Sequence, residues 1–146
     1  MRAYPVEIDI PVRFRDLDGM GHVNNAVFST YLESARVVYW QRLHPGDPIE
    51  VSPDAIPFIL ARTELDFRAQ IPFEPPGGGV RVLVRCPKIG TKSFDLEYRV
   101  ESADGEVLYA EARSVQVCFD YGASATIPVT DDLRRRVAAL EGWRAV

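Results

Sequence analysis

The segment Arg15-Asp-Leu-Asp-Gly-Met-Gly-His-Val-Asn-Asn25 gathers residues able to do chemistry: two carboxylates (Asp16, Asp18), an imidazole (His22) and two amides (Asn24, Asn25), with glycines at 19 and 21. Glycine lets a backbone take positive φ or approach a ligand closely. The segment leads into a predicted helix start, where unpaired N–H groups attract negative charge. A carbonyl under attack becomes an oxyanion, and donors preorganised at such a terminus stabilise it; losing one typically costs roughly 3–4 kcal/mol. With an ordinary pKa of about 3.9, an Asp is ionised at neutral pH and is equipped to attack a carbonyl carbon or to deprotonate a water. Partial burial would raise its basicity.

The same residues admit plainer readings. Asp16 and Asp18 can bond the backbone N–H groups of a turn. A single His without a second ligand can be a hydrogen-bonded structural residue rather than a base or a metal ligand. Glu33 and Arg36, three apart with the acid first, can form an ion pair on the helix instead of meeting a substrate. No metal site is expected.

The elements that must position these residues are readable from periodicity. Residues 6–14 alternate, with Val6, Ile8, Ile10, Val12 and Phe14 opposing Glu7, Asp9 and Arg13, the pattern of a half-buried strand. The same arithmetic predicts strands at 58–69, 80–86 and 93–101. Asp104-Gly105 then supplies a tight hairpin, and a fifth strand runs over about 106–119. Residues 25–43 form the long helix, with apolar residues around most of its circumference, so it should be surrounded. An antiparallel sheet of about five strands curling around that helix, an α+β arrangement, satisfies both elements. The Pro- and Gly-rich stretch 44–57 ends the helix as a loop, and Thr130 caps a short helix at 131–141.

Composition narrows the rest. The 146 residues suit one domain spanning 1–146. With 47% hydrophobic and 26% charged residues, disorder is not expected. A net charge of −4 argues against a broad nucleic-acid surface. Arg134-Arg135-Arg136 follows Asp131-Asp132 and reads as a solvated helix face. There is neither a signal-like apolar region at the N-terminus nor a run of about 18 apolar residues, so a cytoplasmic protein is expected. Cys86 and Cys118 are too few and too separated for a metal cluster or disulfide framework and read as buried thiols.

The string Phe14-Arg-Asp-Leu-Asp-Gly-Met-Gly-His-Val-Asn-Asn25 with Tyr31-Leu-Glu-Ser-Ala-Arg36 resembles the 4-hydroxybenzoyl-CoA thioesterase family of hotdog proteins, closest to its bacterial acyl-CoA thioesterases. Lys88-Ile-Gly-Thr-Lys-Ser-Phe94 resembles that family's hairpin, and Ile127-Pro-Val-Thr-Asp-Asp-Leu-Arg134 its C-terminal helix entry, so nearly the whole chain is covered. The resemblance implies a hotdog fold, with a five-stranded antiparallel sheet wrapped around the central helix. It further implies sheet-edge pairing into homodimers, often joined as homotetramers.

It implies hydrolysis of an acyl-CoA, coenzyme A entering as part of the substrate, with no metal, flavin or nucleotide cofactor and no nucleic-acid or membrane partner. Asp18 would be the nucleophile or general base and the Asn25 backbone N–H would polarise the thioester carbonyl, while Asp16 would be structural. His22, Val23 and Asn24 would shape the substrate loop, and Tyr31 and Glu33 would lie near the acyl group. Apart from the resemblance, Lys88 and Lys92 are candidates for the CoA phosphates or, equally, solvated turn lysines. Asn24-Asn25 and Phe28 depart from residues common in the family, which leaves the acyl preference open. The alternatives are a noncatalytic acyl-CoA-binding domain, an acyl-ACP thioesterase, which typically carries two hotdog units, and a hotdog hydratase, whose Asp–His spacing differs from that of Asp18 and His22.

Overall fold

A computed structural model describes residues 4–46 and 56–144. Its elements run β1 (Val6–Ile10), a 3-10 turn (Phe14–Asp16), α1 (Asn25–Leu43), β2 (Phe58–Phe67), β3 (Val80–Arg85), β4 (Ser93–Ser102), β5 (Leu108–Asp120), β6 (Ala125–Thr126) and α2 (Asp131–Glu141). The strands pair antiparallel in the order β1-β3-β4-β5-β2, with β6 added to β5. This is the expected α+β hotdog architecture.

Alternation explains which side of the sheet faces α1. Val80, Val82 and Val84 of β3 and Phe94, Leu96, Tyr98 and Val100 of β4 are all buried, one residue in two. Against them α1 buries Phe28, Tyr31, Leu32, Ala35, Tyr39 and Leu43, spaced three and four apart along one face. Of these, Phe28, Leu32 and Leu43 each contribute on the order of 1.5–3 kcal/mol by their burial. The opposite face is less enclosed than the apolar circumference predicts: Ser29, Thr30, Glu33 and Ser34 are exposed. The inner sheet face also carries a polar string, because Ser114 and Gln116 are fully buried there. Tyr98 Oη lies 2.5 Å from Ser114 Oγ, Ser114 Oγ bonds Gln116 Oε1, and Gln116 Nε2 donates to the Phe94 carbonyl at 3.0 Å. Arg36 closes the string from α1 by donating to Tyr98 Oη at 3.3 Å. Burial of hydrogen-bonded polar groups in this manner avoids the cost of leaving them unpaired.

Two strands differ from their predicted extents. β1 ends at Ile10 because Pro11 has no N–H to continue the ladder, so Phe14 leaves the strand for the 3-10 turn. β2 ends at Phe67 and slips register between Leu60 and Arg62, a bulge at Ala61 that alternation does not reveal. Among the described residues β2 is an edge strand paired with β5 alone, and Leu60 and Phe67 along it are 46% and 47% exposed. Of the loop expected at 44–57, residues 47–55 lie outside the described residues.

Cys86 and Cys118 are free and buried; burial, with the negative charge of Glu141 nearby, pushes the Cys86 thiol up to about 12. At the far end of the fold α2 is capped by Thr130, whose side chain accepts from Leu133 N. Arg136 of α2 donates to the Leu43 carbonyl at 2.8 Å, tying α2 to the C-terminal end of α1. No helix among the described residues is long and apolar enough to cross a membrane.

Candidate active site

The loop from β1 to α1 is built around Asp16. This residue is buried, and its carboxylate accepts from Arg13 N–H at 3.0 Å, from the Arg13 guanidinium at 3.2 Å and from the Tyr31 hydroxyl at 2.9 Å. Burial alone would push its pKa up, but these donors outweigh it and hold the carboxyl below the ordinary carboxylate range. The Asp16 carbonyl accepts from Asn24 N at 2.8 Å, so the same residue pins both the entry and the exit of the loop.

Asp18 stands differently. It is exposed, and one carboxylate oxygen, Oδ1, accepts from Met20 N at 2.8 Å and His22 N at 3.3 Å. The turn is closed by Asp18 N to the His22 carbonyl at 2.8 Å and by Gly21 N to the Asp18 carbonyl at 3.2 Å. Gly21 sits at φ +82, where an L side chain would be strained. Oδ2 has no protein donor among the described residues. The backbone bonds fix the orientation of the carboxylate and leave one oxygen open to a ligand.

Behind this turn begins α1. Asn24 is its N-cap, its side chain accepting from Ala26 N at 2.9 Å, and Val27 N reaches the Asn24 carbonyl at 2.8 Å. The N–H of Asn25, the first helical residue, has no intrahelical carbonyl within its reach and remains a donor at the positive end of a 19-residue helix. A fixed, exposed carboxylate thus precedes an open helix N-terminus in the chain, the two kinds of group that acyl transfer calls for: a nucleophile or base and an oxyanion donor.

The other candidates are distributed around this pair. Val23 is buried and donates to the Ile71 carbonyl at 2.9 Å, and His22 bridges to Pro72, so both fasten the loop to segment 69–73. Tyr31 is buried with its hydroxyl committed to Asp16, and burial together with that bond pushes its pKa up. It supports the loop. Glu33 is exposed on α1. The ion pair considered for Glu33 and Arg36 does not form, since Arg36 turns inward to Tyr98. Lys88 lies 3.9 Å from Asp95, and Lys92 donates to Thr126 at 3.3 Å. The hairpin between them is tied to α2 through Arg134 and the Gly90 carbonyl. It therefore belongs to the C-terminal end of α1, about 28 Å from the N-terminal end at roughly 1.5 Å per residue.

Three apolar residues of the site escaped the sequence reading. Phe14, assigned above to the inner face of strand one, is 80% exposed; Met20 is 79% and Phe73 44% exposed. Their signal was present only as large apolar residues inside or near a polar loop. Among the described residues no group of three or more His, Cys, Asp or Glu is placed to hold a metal ion.

A family profile covers this loop and almost everything after it, matching residues 12–137. The chain belongs to the Thioesterase-like superfamily. Within the family's structural range, the chain is similar to a thioesterase of Thermus thermophilus whose crystal structure is complexed with coenzyme A and Zn. Identity there is 37%, 99% of this chain and 100% of that one are covered, and the TM-score is 0.82. It also matches a hypothetical protein of Thermus thermophilus, TT1821, at 29% identity over 92% and 98% of the two chains, TM-score 0.75. The 1,4-dihydroxy-2-naphthoyl-CoA thioesterase of Synechocystis shares the fold at 18% identity and TM-score 0.75, over 92% and 96% of the chains. In sequence the chain is 27% identical over 104 residues to the uncharacterized protein YsmA of Bacillus subtilis (strain 168), a match spanning 70% of this chain and 65% of that protein.

Proposed function

We propose that this protein hydrolyses acyl-CoA thioesters to the free acid and coenzyme A, in the manner of the bacterial acyl-CoA thioesterases related to 4-hydroxybenzoyl-CoA thioesterase. The observation that carries the reading is the exposed Asp18 carboxylate, held through Oδ1 with Oδ2 open, in the loop that leads into the N-terminus of α1. A thioester carbonyl set against the Asn25 N–H has its oxygen polarised as charge develops there. Asp18 then either attacks the carbonyl carbon, expelling the CoA thiolate and leaving an anhydride for water to open, or takes a proton from a water that attacks instead. The similarity to a thioesterase crystallised with coenzyme A supports CoA as the carrier.

The working unit in this reading is a homodimer joined through β2, a ten-residue strand whose outer edge has no strand partner among the described residues. Phe58, at the start of β2, packs on Trp40 near the C-terminal end of α1, and Phe67, at its end, packs on Phe28 in the helix's first turns. Antiparallel pairing of two β2 strands therefore sets the catalytic loop of one chain beside the Phe58 end of the other. Lys92, whose carbonyl accepts from Cys118 N near Phe58, then approaches the partner's site rather than its own chain's.

The test is release of free CoA thiol from short, long and aromatic acyl-CoAs by the native protein and by Asp18→Asn. The native protein should turn over at least one class, and Asp18→Asn, unchanged in circular dichroism, should lose nearly all of that rate. Retained activity in the variant removes Asp18 from the mechanism; binding of acyl-CoA by the native protein without hydrolysis points to a noncatalytic acyl-CoA-binding domain.

A further inference from the structure

Large apolar side chains exposed together mark binding surfaces more often than ones scattered singly, and three that are exposed among the described residues, Phe14, Met20 and Phe73, stand on the segments that build the Asp18 turn. Phe14 opens the 3-10 turn that ends in Asp16, and its ring meets Phe73 edge to face, centroids 6.2 Å apart. Phe73 follows Pro72, which bridges to His22. Met20 donates its N–H to the Asp18 carboxylate. Resting on the function proposed above, we propose that Phe14, Phe73 and Met20 are the seat of the substrate's acyl group, and that the enzyme takes bulky apolar acyl groups, aryl or long-chain alkyl, in preference to acetyl.

The chemistry of the substrate selects this occupant. A thioester held with its carbonyl carbon at Asp18 extends two arms from that point. The CoA arm leaves the carbonyl as amide-rich pantetheine, and its adenine, the one part that stacks well on aromatic rings, lies beyond the diphosphate, too far from a carbonyl held at Asp18 to reach rings on the segments that build this turn. The acyl arm is the apolar one, and every methylene or ring it lays on Phe14, Phe73 and Met20 leaves water. An acetyl group is too short to cover them.

The experiment compares native protein with Phe14→Ala/Phe73→Ala on acetyl-, decanoyl- and benzoyl-CoA, alongside calorimetric binding of the non-hydrolysable S-ethyl and S-decyl thioethers of CoA. Phe14 and Phe73 lie outside the core, so the double variant should keep its Tm. Expected is a drop of roughly tenfold or more in kcat/KM for decanoyl- and benzoyl-CoA and in affinity for the S-decyl thioether, with acetyl-CoA and S-ethyl values within about twofold. Equal losses across all ligands, no loss at all, or a fall in oligomeric mass that marks the patch as a subunit contact would each overturn the proposal. A native protein that hydrolyses nothing yet favours the S-decyl thioether through these two rings would refute the thioesterase reading and leave the acyl seat standing.

Discussion

A carboxylate that accepts three hydrogen bonds is a weak base and a weak nucleophile, because its lone pairs are already engaged and its charge is stabilised. Asp16 is in that position through Arg13 and Tyr31, and Asp18, two residues on, is not. Residue types alone do not separate the two aspartates. The distinction comes from Tyr31, fifteen residues away, and becomes readable only when α1 has packed. Tyr31→Phe should therefore destabilise the fold by about 1–3 kcal/mol, the usual cost of removing a donor from a buried charged acceptor, measured by urea denaturation. The depressed pKa of Asp16 also sets a pH dependence: its contribution is fully present above the ordinary carboxylate value of 3.8 and is lost as pH falls through the lower folded value. The Tm difference between native protein and Asp16→Asn should accordingly be large at neutral pH and shrink on acidification below 3.8.

At the scale of elements, helix α1 links the core to the chemistry: its buried stripe fixes where its first turn lies, and Asn24 fixes how that turn begins. Replacing Asn24 by Ala should cost about 1 kcal/mol of stability through the lost cap. In the proposed mechanism it should lower kcat more than it raises KM, because there the Asn25 N–H that it displaces is the donor to the developing oxyanion; steady-state kinetics beside thermal melts separate the two effects. The bounds of this helix were legible in the sequence, since Asn24 before an apolar run and Pro45-Gly46 after it are terminal signals. Strands β3 and β4 were legible too, because their apolar residues alternate with charged ones, and β5 because the Asp104-Gly105 turn announces it. The bulge at Ala61 and the inward turn of Arg36 were not: each depends on which neighbour the sheet supplies. Phe14 escaped for a related reason, as its alternation with Val12 continues past the proline that ends the strand.

For the whole molecule, the two ends of α1 carry different parts of the apparatus. The catalytic loop lies at one end, and the hairpin holding Lys88 and Lys92 lies at the other, beside α2. The ends stay apart within one chain, whereas the proposed dimer, paired through β2, would bring the loop of one chain to the hairpin of the other. Sedimentation equilibrium should give at least twice the mass of the chain. A mixture of Asp18→Asn protein with native protein, exchanged through mild denaturant, should retain activity in proportion to the native Asp18 sites.

The opposite margin of the sheet has its own significance. β1 is only five residues long and is bracketed by Pro5 and Pro11, neither of which has an N–H for an incoming strand. Polymerisation by strand addition needs a receptive margin on both sides, and here one side is terminated chemically. Association through β2, in the dimer proposed above, would use up the long margin in both partners at once, and growth toward a filament would stop at its first step.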